Sequence, residues 1–168
     1  MSGHTIRFPV RYVGKPKKER VPIDVDTREQ KPFVFDPEYV IVTQRTLPTF
    51  DYSVKDDLQF AVERKSIDDL YKSFSSPEKW GREQDKIRRA AAAFHPYPII
   101  YLVEGQPCEL TNLNYGHFGG VVTPQLIWSR ISILMMKGVQ FVWCTSKRIA
   151  SYQCYLLLKR RWRDMQKE

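Results

Sequence analysis

The chain has 168 residues, 42% of them hydrophobic and 27% charged, with a net charge of +8 and a pI near 9.4. That length suits one domain with its own core; no apolar run is long enough to cross a bilayer and no apolar signal core opens the chain, so neither membrane insertion nor secretion is expected. Three cysteines (Cys108, Cys144 and Cys154) make neither a C-x-x-C pair nor an even set, which excludes a zinc knuckle and a disulfide scaffold as first readings and fits a reducing compartment.

Residues 1–21 read as a basic N-terminal arm. Ile6, Phe8, Val10 and Tyr12 alternate there as in a short edge strand, with Pro9 at the edge, and Gly14–Lys18 reads as a loop. The body, residues 22–168, opens with a strand over Ile23–Asp26 and a polar loop over Thr27–Lys31. Asp36-Pro37 then offers a capped helical turn. Tyr39–Leu47, Phe50–Val54 and Phe60–Lys65 read as strands, the last two joined in a hairpin across Lys55–Gln59. Ser66 caps a helix through Phe74, and Ser76-Pro77 starts another through Phe94. Tyr97–Val103 is a fully apolar, buried strand, and residues 104–122 yield no assignment. Thr123-Pro124 opens a helix to Lys137 that is apolar on most sides and therefore expected to be central. Gly138 ends it, Val139–Cys144 is a strand, and Thr145 or Ser146 caps a last helix to Gln166. This order implies an α/β fold with a mixed sheet, an antiparallel meander joined to parallel crossovers.

The positive charge is uneven. Residues 1–20 carry +5, residues 147–168 carry +5, and the segment between them carries −2. Basic ends around an acidic centre point to a polyanionic partner, nucleic acid above all.

The acidic centre holds the pattern with chemistry in it. Val62-Glu63-Arg64-Lys65 falls on a predicted strand, where residues two apart share a face. Glu63 and Lys65 therefore project together, and Arg64 projects the other way. A carboxylate beside an ammonium suits metal-assisted phosphodiester cleavage: the carboxylate holds Mg²⁺ and the ammonium positions or activates a water. Asp51, on the preceding strand of the hairpin, and Asp26, ending the first strand, can supply further ligands. Alone, E-x-K is more often a solvated strand face, and Ser66 with Asp69 fits a helix capping box.

The whole string is more specific. Asp26-Thr27-Arg28-Glu29, then Asp51-Tyr52, then Val62-Glu63-Arg64-Lys65-Ser66-Ile67-Asp68-Asp69 closely resembles the XPF-type nuclease domain. That family carries V-D-x-R-E, then G-D, then E-R-K-x-x-x-D. Gly81-Arg82, Tyr97–Glu104 and Phe141–Cys144 resemble its later elements, so the likeness runs over about residues 22–162. It implies a restriction-endonuclease-like fold, a mixed central sheet flanked by helices. It also implies Asp26, Asp51 and Glu63 as Mg²⁺ ligands (Mn²⁺ able to substitute), with the Arg64 carbonyl beside them and Lys65 as catalytic lysine. Arg28, Glu29, Arg64 and Asp69 would support the site or touch phosphate. Two departures stand out. Phe50 replaces the family's glycine, and a Phe suits a strand but not a tight left-handed turn, so the local geometry is expected to differ. No tandem helix-hairpin-helix module follows, so a compact stand-alone form is expected.

Arg82, Lys86 and Arg89 fall on one helical stripe and read as phosphate-tracking, opposite a stripe of Ile87, Ala91 and Phe94. Trp128, Trp143, Tyr152, Tyr155 and Trp162 read as core or dimer surface rather than base-stacking groups. The last helix is apolar along both Ile149-Tyr152-Leu156 and Tyr155-Leu158-Trp162, which suits homodimerisation. The reading is a Mg²⁺-dependent DNA endonuclease of repair, recombination or phage DNA processing. It is expected inside the cell: cytoplasmic in a bacterium or phage host, nuclear in a eukaryote. Its rival is a nuclease-dead DNA-binding or scaffold subunit, which in this family usually loses the acidic and lysine positions that are filled here.

Overall fold

The computed structural model describes residues 19–112 and 122–167. The expected strand over residues 6–13 and the loop Gly14–Lys18 lie outside the described residues. Six strands, β1 (Val21–Asp26), β2 (Val40–Arg45), β3 (Tyr52–Val54), β4 (Ala61–Ser66), β5 (Ile99–Glu104) and β6 (Val139–Cys144), form one sheet in the order β2-β1-β3-β4-β5-β6. The helices are α1 (Ile67–Ser73), α2 (Pro77–Phe94), α3 (Glu109–Asn112), α4 (Pro124–Met136) and α5 (Lys147–Met165). This is the mixed α/β sheet flanked by helices that the sequence predicts.

The β3–β4 hairpin is antiparallel and β4, β5 and β6 run parallel, as expected. The expected meander at the start is not formed. β2 pairs parallel to β1, while β3 takes the other side of β1 antiparallel. Residues 27–39 carry the chain back to the beginning of β1, where the Val21 amide donates to the Tyr39 carbonyl at 2.9 Å. Such a return needs a long crossover, though not a helix. Here the crossover itself supplies the packing: Phe33 and Phe35 are buried against Tyr52, Phe33 stacked on its ring at 4.8 Å.

Caps set the helix starts. The Ser66, Ser76, Thr123 and Ser146 hydroxyls each accept from an amide of the following turn, with Pro77 and Pro124 opening α2 and α4. α4 ends at Gly138, whose φ of +87° lies where side chains are disfavoured.

The sheet separates two apolar layers. On one face, α1, α2 and α4 bury Tyr71, Phe74, Ile87, Phe94 and Ile131 against Tyr101 and Val103. On the other, α5 and the 33–35 segment bury Cys154, Leu158, Phe33 and Phe35 against Ile23, Tyr52, Val62 and Leu102. Each large side chain so buried contributes about 1.5–3 kcal/mol. α4 is not central, contrary to expectation: it covers β6 with Ile127, Ile131 and Leu134 and leaves Met135 and Met136 exposed. Its apolar composition exceeds its buried face. α5 buries Ala150, Cys154, Tyr155 and Leu158 within the chain, with Leu156 exposed. Trp128 and Trp143 pack on each other at 5.9 Å beside the first layer, in line with the core reading. No described helix is long and apolar enough to cross a membrane.

Candidate active site

β4 alternates as its sequence requires. Val62 enters the α5 side, and Glu63 and Lys65 enter the α1–α2 side, 5% and 8% exposed. Glu63 stands opposite Tyr101 in the ladder, and Lys65 opposite Val103. Lys65 Nζ lies 3.1 Å from Glu63 Oε1 and donates to Ser73 Oγ at 3.1 Å. Burial opposes the Lys65 charge, but Glu63 and Glu83 outweigh it and hold the ammonium above its ordinary pKa. Lys65 is thus held as a cation between two carboxylates.

Asp51 precedes β3 and ties two strands together. Its amide donates to the Val62 carbonyl at 3.1 Å, and its carbonyl accepts from the Asp26 amide at 2.8 Å. Its carboxylate accepts from the Arg64 amide at 2.7 Å. Burial, followed by the neighbouring Glu63 charge, pushes Asp51 well above the usual carboxylate range. Two carboxylates set against each other in this way suit a divalent cation, whose charge relieves both.

Asp26 is brought to the same place but is otherwise engaged. Oδ1 accepts from the Arg28 amide and Nε, both at 2.7 Å, and Oδ2 from Arg28 Nη2 and the Leu47 amide, both at 2.8 Å. Burial opposes its charge, yet these bonds hold its pKa below the ordinary value. Asp26, expected as a third ligand, lines the smaller depression with Asp51 and Glu63 and has both carboxylate oxygens engaged by Arg28 and the Leu47 amide. Among the described residues, no group of three or more histidine, cysteine, aspartate or glutamate side chains is arranged to hold a metal. Mg²⁺ needs only one or two carboxylates with water completing its shell, so Asp51 and Glu63 fit it as a pair.

Arg64 points away from the Glu63–Lys65 face. Its guanidinium forks onto Glu104 at 2.7 and 2.9 Å and reaches Glu29 at 3.4 Å. Arg64 and Glu29 are thus joined in a half-buried clamp across β4 and β5, with Glu104, which sequence reasoning did not single out. Asp69 closes the capping box: its amide donates to Ser66 Oγ at 3.1 Å, and its carboxylate accepts from the Ser66 hydroxyl at 2.7 Å. The helix-capping reading of Asp69 fits this geometry, and Asp69 also lines the cleft that holds Asp51, Glu63 and Lys65.

Two residues of α2 enter the site: Glu83, which the sequence did not single out, and Lys86, expected on the phosphate-tracking stripe. Its buried stripe is Glu83, Ile87, Ala90 and Phe94, not the expected Ile87, Ala91 and Phe94; Ala91 is exposed. Glu83 accepts from the buried Tyr101 hydroxyl at 2.5 Å and lies 3.6 Å from Lys65 Nζ. Lys86 donates to Glu63 Oε1 at 2.6 Å. The expected stripe of Arg82, Lys86 and Arg89 therefore divides. Lys86 turns inward because Glu63 and Glu83 offer it two carboxylates, while Arg82 is exposed and paired with Glu78. A carboxylate on an apolar helical stripe was the available signal for Glu83.

Asp51 and Glu63 lie between two depressions. The larger, about 650 Å³, has Arg28, Lys31, Lys72 and Lys147 around its acidic floor. The smaller, about 150 Å³, adds Lys86 and Arg89. Acid at the floor and cations at the rim suit a phosphodiester backbone approaching a metal. A separate depression of about 840 Å³, between Val34–Tyr39 and the start of α5, contains none of the predicted site residues.

A family model described as the ERCC4 domain matches residues 25–156. No curated protein matches. Among solved structures, XPF from Aeropyrum pernix superposes with a TM-score of 0.62 at 22% identity, covering 83% of this chain and 61% of that one. XPF from Aeropyrum pernix in complex with DNA gives 0.61 at 20% identity, covering 86% of this chain and 66% of that one. At these identities the likeness is one of fold, and this chain spans less than two thirds of either structure.

Proposed function

The chain belongs to the ERCC4 domain family, and from that premise we propose that it is a divalent-metal-dependent endonuclease hydrolysing DNA phosphodiester bonds. The observation that carries the reading is the Glu63–Lys65 pair on β4, set beside Asp51 on the floor of a cleft rimmed by cations. The DNA bound by the Aeropyrum pernix XPF supports DNA as the substrate.

Asp51 and Glu63 would hold Mg²⁺ or Mn²⁺. Bound there, the ion supplies Lewis-acid polarisation of a phosphoryl oxygen and lowers the pKa of water. Lys65 keeps its proton and donates from Nζ to the attacking water or a phosphate oxygen. Its remaining contacts, Ser73 and Glu83, fix the ammonium. Arg28 is held by Asp26 at the cleft edge, where it can meet a neighbouring phosphate. Lys31, Lys72 and Lys147 line the same path, with Lys147 anchored by donating to the Lys31 carbonyl at 2.8 Å.

A second reading, a silent DNA-binding subunit, draws on Glu63 being already paired with two ammoniums. Labelled linear duplex, single strand, flap, fork and four-way junction, incubated with Mg²⁺ and with EDTA, decide between them. Cleavage abolished by EDTA supports the enzyme. Binding to every form without cleavage supports the silent subunit.

A further inference from the structure

Four charged side chains close into a ring beside Asp51. Lys86 Nζ lies 2.6 Å from Glu63 Oε1 and 3.0 Å from Glu83 Oε1. Lys65 Nζ lies 3.1 Å from Glu63 Oε1 and 3.6 Å from Glu83 Oε2. The ring alternates in sign and is neutral as it stands. Its two ammoniums are not equivalent. Lys65 is enclosed and held by Ser73 as well. Lys86 is the more exposed, 20% against 10%, and faces the smaller depression beside Asp51 and Arg89.

We infer that Lys86 is a resident counter-ion that gates divalent-cation entry, stationed on Glu63 until the ion arrives and then held by Glu83. The inference rests on the endonuclease reading. An ammonium 2.6 Å from Glu63 Oε1 occupies an oxygen that a metal needs, and two cations at that range repel strongly. Lys86 can yield it without losing its last partner, because Glu83 is already in contact. Glu83 is itself fixed, accepting from the Tyr101 hydroxyl at 2.5 Å. The Phe50 and Tyr101 rings, each 5.6 Å from Lys86 Nζ, offer further attraction to the displaced ammonium. Lys86 and Glu83 are thus positioning residues: they set when Glu63 is free.

Calorimetric titration of the full chain with Mn²⁺ alone, without DNA, tests this. Lys86→Gln should bind Mn²⁺ on the order of tenfold more tightly than the original protein. Lys86→Arg keeps the charge and should stay within about threefold. Glu83→Gln should bind more weakly, because Lys86 then has Glu63 as its sole carboxylate. Arg89→Gln removes a cation from the same depression that is not seated on Glu63, and should change affinity by less than about twofold. If Glu83→Gln does not fold, the Lys86 and Arg89 variants decide alone. Equal tightening in Lys86→Gln and Arg89→Gln would reveal a general field effect and overturn the gate, as would unchanged affinity in Lys86→Gln. Metal-dependent cleavage by the original protein with no tightening in Lys86→Gln removes the gate alone. No Mn²⁺ binding and no cleavage removes both readings.

Discussion

The Phe50 ring lies 5.6 Å from the Lys86 ammonium, and it reaches that place from a left-handed backbone, φ +64°. The XPF-type pattern has glycine here, and the geometry explains why: the turn into Asp51 needs a positive φ that glycine adopts freely. The sequence-based expectation that Phe50 avoids such a turn, as a strand residue, is corrected. β3 begins at Tyr52, and Phe50 keeps the left-handed turn while burying its ring against Phe94 and Tyr101 at 5.5 and 5.6 Å. The turn tolerates Phe because packing outweighs strain.

Phe50→Gly therefore sets two terms against each other. Losing a buried aromatic costs about 3–5 kcal/mol. Relief of the left-handed strain returns about 1–2 kcal/mol. A net loss of roughly 1–4 kcal/mol should lower Tm by about 2–16 °C for a chain of this size. Thermal melting checks it, and a Tm within a degree of the original would mean that the ring contributes little to packing.

What could be read from residue order, and what could not, follows from the range of the interactions. Glu63 and Lys65 were legible because strand alternation is local. Ser66, Ser76 and Thr123 were legible as caps for the same reason. Glu83 was not, since its meaning depends on Tyr101, which lies on another element and holds it at 2.5 Å. Arg161 sat in a basic run and was counted toward the polyanion-binding charge, yet its partner Asp57 is distant in sequence and buried with it. β2 pairs parallel because residues 27–39 return the chain over Tyr52, a choice no local pattern dictates.

Glu63→Gln keeps side-chain size and removes the charge that a metal needs. Cleavage should fall by roughly a thousandfold, reflecting several kcal/mol of lost metal-assisted stabilisation. Affinity for DNA should change little, because the cleft rim is untouched. Cleavage and gel-shift assays on one preparation read both, and wild-type cutting would misplace the site.

Lys65→Ala should likewise stop chemistry, by at least about a hundredfold, while leaving Mn²⁺ affinity equal or improved. Lys65 is a cation 3.1 Å from Glu63, so its removal lowers repulsion toward a metal. Calorimetry with Mn²⁺ checks the sign. A marked loss of affinity would show Lys65 to be needed for the shape of the site.

Acid should weaken the α1 cap. Burial opposes ionisation of Asp69, but the Ser66 hydroxyl and amide outweigh it and lower its pKa from 3.8. A depressed folded-state value means that Asp69 adds stability above the ordinary carboxylate pKa, and that this is lost as pH falls through the folded value. Asp69→Asn should be less stable than the original by about 0.5–1 kcal/mol at pH 7. The gap should close as pH drops below about 4. Melting both proteins from pH 7 to pH 3 tests it, and a gap independent of pH would assign the cap to hydrogen-bond shape alone.

Arg161 should behave as a core residue inside a basic segment. It is 4% exposed. Its guanidinium forks onto Asp57 at 2.7 and 3.2 Å, donates to the Tyr97 hydroxyl at 2.5 Å, and stacks over the Tyr97 ring at 4.3 Å. Asp57 is in turn fixed by the Gln59 amide at 3.0 Å, so the pair pins α5 to the β3–β4 hairpin that carries Asp51 and Glu63. Arg161→Ala strands a buried carboxylate and should cost about 3–5 kcal/mol. Arg160 is the contrast: its pair with Asp164 is an exposed i,i+4 contact worth about 0.3–0.5 kcal/mol. Arg161→Ala should therefore lower Tm by roughly 6–20 °C and Arg160→Ala by about 2 °C or less. On DNA the order should reverse. The folded fraction of Arg161→Ala should keep the original salt dependence of binding, since a buried guanidinium neutralises no phosphate. Loss of Arg160 lowers the slope by up to about one unit, if a phosphate reaches it. Melting and salt titration of the two variants measure both. A shallower slope in Arg161→Ala at full occupancy of the fold would mean that its pair with Asp57 opens when DNA binds.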